Sequence, residues 1–320
     1  MRVRFWGTRG SLPVAATATT IRAKLVNAVL AASGRSFATA AAAAAFVDDE
    51  LDFAARGGYG GATSCVEIEA GDGNFIVCDM GSGLREFGLD AMRRAAGGHP
   101  RRYHFFLSHL HWDHIMGFPF FVPAFDAEAT IVIHSGHADA ETALRRQMEE
   151  ISFPVAFDWL RARIEFVTLA TDVPHRIGGV DVTMMEQYHS HLSYGYRFDA
   201  GGRTVIYSTD SEHRSDQMDT EARFEAFFKD ADLVVCDTMY SLGDMVSLKQ
   251  DWGHSSSLIA IDLCRLAAAK CLALFHHEPT YTDAQIQTMH AEARQYEALT
   301  RGDAAEVRVI CAYDGLEVDV

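Results

Sequence analysis

The chain has no dense run of lysine and arginine. Its formal net charge is −16, and the Arg101–Arg102 and Arg145–Arg146 pairs stand isolated. Phosphate backbones are gripped by clustered cations, so long nucleic acid is not an expected partner. A small anionic substrate stays open, because bound metal ions would supply positive charge locally. Cysteine is sparse and unpaired: Cys65, Cys78, Cys236, Cys264, Cys271 and Cys311 contain no Cys-x-x-Cys, and most sit among apolar residues. Buried free thiols are expected rather than disulfides or thiolate metal sites. No apolar run is long enough to cross a bilayer. The alanine-rich Ala38–Ala45 stretch soon meets Asp48, Asp49 and Glu50, so no membrane association is expected. Met1 leads straight into the strand-like Arg-Val-Arg-Phe-Trp without a leader pattern, which makes the cytoplasm the expected location.

What remains is an ordinary globular composition, 48% hydrophobic over 320 residues, within reach of one large domain. Short β-branched runs end in polar or glycine-rich turns: Val66–Ile68, Phe75–Cys78, His104–Leu107, Thr130–Ile133, Thr204–Tyr207, Leu233–Cys236, Cys271–Phe275 and Val307–Cys311. Helical periodicity separates them at Ile21–Ala32, Leu84–Ala96, Ser255–Ala269 and Asp283–Leu299. Strands alternating with helices through both halves give an α/β class. Residues from about 14 to 57 break the pattern. Two amphipathic helices, Thr20–Ala32 and Ala40–Ala55, are expected there, joined by Ser33-Gly34-Arg35. Some 40 residues seldom sustain a core of their own. The segment is therefore read as an insert in a single 1–320 domain: a lid, an oligomer contact or a passive elaboration. The oligomeric state stays open, with a homodimer admissible.

Chemistry concentrates in Leu107-Ser108-His109-Leu110-His111-Trp112-Asp113-His114. Four metal-competent side chains, His109, His111, Asp113 and His114, follow directly on an apolar strand. A loop at a strand end can turn all of them inward, since no regular element has to be kept there. Imidazoles with a carboxylate suit zinc and related divalent ions.

This His-x-His-x-Asp-His order resembles that of the metallo-β-lactamase superfamily. Arg4-Phe5-Trp6-Gly7-Thr8-Arg9-Gly10-Ser11, Gly60-Gly61-Ala62-Thr63-Ser64 and Asp79-Met80-Gly81-Ser82-Gly83 are similar to the opening strands of one branch. That branch contains ribonuclease Z and the phosphoribosyl cyclic phosphodiesterases. The resemblance covers nearly the whole chain outside the insert, and it implies a four-layer αββα sandwich with metals at one edge. It also implies the remaining ligands. In His189-Ser190-His191-Leu192-Ser193-Tyr194-Gly195-Tyr196-Arg197, spacing to Gly195 favours His189, while His191 could face substrate or replace it. Asp210, after the Thr204–Thr209 run, matches the carboxylate between the metals; an Asx-turn is its structural alternative. In Phe275-His276-His277-Glu278-Pro279, His276 matches the last ligand, with His277 the other choice. On this assignment one ion takes His109, His111 and His189, the other Asp113, His114 and His276, and Asp210 lies between. Asp79 matches a carboxylate that supports the ligand loop without touching metal.

The resemblance further implies hydrolysis by hydroxide generated between two divalent ions, zinc by first expectation and manganese or iron by the same donors. Asp113 would orient the nucleophile. His254, in Trp252-Gly253-His254-Ser255-Ser256, matches a histidine that approaches the scissile phosphate and would stabilise its oxygens or protonate the leaving group; a helix-start residue beside a Ser255 cap is the alternative. The acidic composition and the lack of a basic, glycine-rich arm speak against tRNA. A small phosphodiester, such as a cyclic nucleotide, is the expected substrate. Lactone, thioester or β-lactam hydrolysis with the same metal centre is the alternative, because fold does not decide substrate.

Overall fold

Side-chain alternation along the strands decides how the layers stack. The computed structural model describes residues 1–71, 73–190, 192–212, 218–240 and 255–320. The first half of the chain runs β1 (Arg2–Gly7), α1 (Ala18–Ala31), α2 (Ala40–Glu50), α3 (Phe53–Arg56), β2 (Cys65–Glu69), β3 (Phe75–Cys78), α4 (Leu84–Ala96), β4 (Arg102–Leu107), α5 (Trp112–Ile115), β5 (Thr130–Ser135), α6 (Ala140–Gln147) and β6 (Arg163–Thr168). The second runs β7 (Pro174–Ile177), β8 (Val180–Tyr188), β9 (Leu192–Ala200), β10 (Arg203–Ser208), α7 (Met218–Phe228), β11 (Leu233–Asp237), α8 (Ser257–Leu266), β12 (Cys271–Phe275), α9 (Asp283–Thr300), β13 (Arg308–Cys311) and β14 (Glu317–Asp319).

Two seven-stranded mixed sheets result, β14-β1-β2-β3-β4-β5-β6 and β13-β12-β11-β10-β9-β8-β7. In β3, Ile76 and Cys78 face the second sheet while Phe75 and Val77 face outward. In β11, Leu233 and Val235 point inward and Val234 and Cys236 outward. The outward set of the first sheet packs with Leu84, Phe87 and Ala91 of α4. That of the second packs with Ile261 and Cys264 of α8 and Ile286 and Ala293 of α9. Strands buried on both faces read as continuous apolar runs rather than alternating ones, which is why they are conspicuous in the sequence. The result is the αββα sandwich. All six cysteines are buried and free, and no helix among the described residues is long and apolar enough to cross a membrane.

The 14–57 region departs from expectation in two ways. The second helix stops at Glu50 instead of reaching Ala55, because Asp52 caps a new turn: its carboxylate accepts from the Ala55 N–H at 2.8 Å. And α1 buries none of its residues, so its apolar side does not pack on the domain.

β3 through β6 run parallel, as do β10 through β13. The carboxyl ends of β3 and β4 in one sheet, and of β8, β10 and β12 in the other, therefore supply the loops that hold the site.

Candidate metal centre

Five side chains of the cluster stand within two residues of a strand end: Asp79 after β3, His109 after β4, His189 after β8, Asp210 after β10 and His276 after β12. Asp79, Asp210 and His276 leave their strands with φ of 59°, 48° and 61°. That left-handed turn is uncommon for residues other than glycine. It halts the strand and swings the side chain toward the gap between the sheets. His111 is the residue before α5, and Asp113 and His114 lie in its single turn.

Asp210 spans two groups of donors. Its Oδ1 lies 3.8 Å from His109 Nε2 and 3.8 Å from His189 Nε2. Its Oδ2 lies 3.1 Å from His114 Nε2 and 3.3 Å from His276 Nε2. On the first side His189 Nε2 is 3.5 Å from His111 Nδ1. On the second, Asp113 Oδ2 is 3.1 Å from His114 Nε2 and 3.2 Å from His276 Nε2. His109, His111 and His189, and likewise Asp113, His114 and His276, each offer ligand atoms within 4.8 Å of one another, as do His109, His114 and Asp210. The arrangement suits metal: His109 Nε2 is buried and has no hydrogen-bond partner among the described residues. A buried imidazole nitrogen left so is costly, and a divalent cation would satisfy it.

Support comes from behind. Asp79 accepts from the Ser108 N–H at 2.8 Å and from Ser108 Oγ, Tyr207 OH and His114 Nδ1, each at 2.7 Å. Tyr207 reaches it from the opposite sheet. The Ser11 N–H donates to Asp113 Oδ2 at 2.8 Å. A Cβ at Gly10 would meet the His276 ring at 2.5 Å, so the chain after β1 can pass only as glycine.

The charges oppose one another. Burial disfavours ionised Asp210, but His276, His114 and His109 outweigh it and hold its carboxyl well below the usual range. Asp113 is likewise lowered, with His114 and His276 overcoming burial. Burial, and then the neighbouring His114, push His109 down; burial and His189 do the same to His111. For His114 burial is overcome by Asp113, Asp210 and Asp79, which raise it. Anionic carboxylates facing neutral His109 and His111 are the protonation states that metal binding requires.

The structure thus brings together His109, His111, Asp113, His114, His189, Asp210 and His276. His277 turns away and bonds the Ala312 carbonyl through Nε2 at 2.8 Å. His191 and His254 lie outside the described residues. Sequence reasoning gave no role to Ser11, Ser108 or Tyr207. Gly10 and Ser11 stood inside a quoted motif, so their signal was available; Tyr207 looked like any strand residue.

The family model described as the β-lactamase superfamily domain matches residues 75–277, well over half of the chain. Ribonuclease Z of Haloarcula marismortui is 26% identical over 294 residues, covering 77% of this chain and 88% of that protein. A Bacillus subtilis protein described as "Probable metallo-hydrolase YhfI" is 28% identical over 242 residues, covering 69% and 84%. Its crystal structure superposes with a TM-score of 0.63 at 18% identity, over 99% of this chain and 98% of that one. A diphosphatase of the PhnP family superposes with a TM-score of 0.59, also at 18% identity, over 100% and 97%.

Proposed function

The chain belongs to the β-lactamase superfamily domain family, and from that premise we propose that it is a dinuclear metallohydrolase acting on a small phosphodiester. The observation that carries the reading is the division of Asp210, with one carboxylate oxygen toward His109 and His189 and the other toward His114 and His276. A structural site for one ion has no use for a carboxylate shared between two donor sets.

Two divalent ions bound there would lower the pKa of water to near neutrality and neutralise charge gathering on the phosphoryl oxygens. The first set is three imidazoles with one carboxylate oxygen, a composition that favours zinc; the second has two carboxylates and also accepts manganese or iron. Asp113, whose Oδ2 accepts from the Ser11 N–H, would help hold the second ion and would orient the attacking water. In this reading His254 meets the phosphate or the leaving group.

The phosphodiester is favoured over a carbonyl ester because the Haloarcula relative carries the name of a ribonuclease. A net charge of −16 weighs against a long RNA in this chain. Metal analysis of the purified protein, paired with hydrolysis of bis(p-nitrophenyl) phosphate, a lactone and a β-lactam, tests the proposal. Two ions per chain, diesterase activity, and loss of both metal and turnover in Asp210→Ala are expected. Lactone turnover alone would move the function to carbonyl chemistry; full metal content and activity in Asp210→Ala would overturn the centre itself.

A further inference from the structure

Helix α1 is held firmly on the domain yet hides no side chain. Thr17 caps it by accepting from the Thr20 N–H, and Lys24 anchors its inner side. The Lys24 ammonium donates to the Ala54 carbonyl at 2.8 Å, also to that of Gly57, and pairs with Asp283 of α9 at 2.5 Å. The opposite side is mainly apolar, with Arg22 as its one charged residue. Ile21, Leu25 and Val29 repeat every four residues, with Val26 and Leu30 beside the latter two, and these five are 40–71% exposed. A four-residue repeat makes one continuous stripe along a helix.

Exposed apolar patches of this kind mark contact surfaces. The five side chains expose on the order of 500 Å² per copy, roughly 1,000 Å² across a pair, which reaches the lower bound of a specific interface. Charge selects the occupant. The chain carries net −16, yet α1 itself has no acidic residue. Two copies of so acidic a chain repel each other overall, and a contact through α1 brings no carboxylate of the helix against its counterpart. An anionic membrane fits poorly, because α1 carries only Arg22 besides the engaged Lys24, and each surface cation contributes only about 1 kcal/mol to such binding.

We propose that the α1 stripe packs against the α1 stripe of a second copy, the helices crossing antiparallel about a two-fold axis. Such a contact is self-complementary and opposes the two helix dipoles. The residues are solvent-exposed and distant in role from the metal ligands, so they can be changed without unfolding the domain.

Sedimentation equilibrium of the metal-loaded full chain across the micromolar range tests this. A dimer is expected for the wild type. Leu25→Glu combined with Val29→Glu would bury unpaired carboxylates from both copies and raise the dimer Kd by at least ~100-fold, with metal content and the far-ultraviolet circular dichroism spectrum unchanged. A wild-type monomer throughout that range overturns the proposal, including one that pellets with vesicles of anionic phospholipid. So does a dimer that the double substitution leaves intact.

Discussion

Asp79 holds His114 by a 2.7 Å hydrogen bond at Nδ1, which leaves Nε2 aimed at Asp113 and Asp210. The bond fixes both the tautomer and the ring plane of an imidazole at the junction of the two donor sets. Because Asp79 also takes two bonds from Ser108 and one from Tyr207, its carboxylate ties the ligand loop of one sheet to a strand of the other.

Asp79→Asn keeps the size of the side chain but removes an acceptor that four donors share. Metal affinity is expected to fall 10–100-fold, measured by competition with a chromogenic chelator. Unchanged affinity would mean that the loop is held by packing alone.

Gly10→Ala places a methyl where the His276 ring stands. The expected result is loss of metal at the Asp113–His114–His276 position, read as a drop in ions per chain, while the far-ultraviolet circular dichroism spectrum keeps its shape. Retention of both ions would show that the loop after β1 yields more easily than its contacts suggest.

His276 and His277 separate by role. His276→Ala should cost metal with little cost in folding. His277→Ala should keep its metal but lose about 1–3 kcal/mol of stability, because the Ala312 carbonyl loses its buried donor. Metal analysis alongside urea unfolding of both variants distinguishes them, and the opposite pattern would exchange the assignments.

His134 gives a pH dependence away from the centre. It is buried, bonds His104 across 3.0 Å and stacks on Phe106. Burial, reinforced by His104, His175 and Arg102, pushes its pKa down to about 3. In the unfolded chain the imidazole returns to about 6.5. Between those values the unfolded state binds the extra proton, so stability is complete above pH 6.5 and drains away as pH falls toward 3, by about 3 kcal/mol at pH 4. His134→Gln should be less sensitive between pH 7 and 4 in urea titrations; an equal loss in the variant would assign the acid sensitivity to other groups.

The legible part of the site was the local part. His109, His111, Asp113 and His114 fall within six residues, so their convergence needs only a loop. His189, Asp210 and His276 come from three separate strand ends, and only family resemblance linked them. Ser11 donates through its backbone, which no side-chain pattern reports, and Tyr207 acts on a residue 128 positions away. In the fold, strands sealed on both faces stood out as apolar runs. By contrast, β6 and β7 escaped notice because no residue of either is buried and both carry charges, Arg163 and Glu165 in one, Arg176 in the other. The break at Asp52 was overlooked because the surrounding alanines favour continuous helix.

β14 pairs with β1, matching Arg2 to Asp319. During synthesis, the sheet that carries the His109–His114 loop therefore waits at one margin for residues more than three hundred positions downstream. Until they leave the ribosome, β1 offers unpaired amides and carbonyls to any passing strand. Closing so long a loop is entropically slow. That margin stays open after the residues of both donor sets have been made, so metal supplied in that interval would find them before the sheet beneath is sealed.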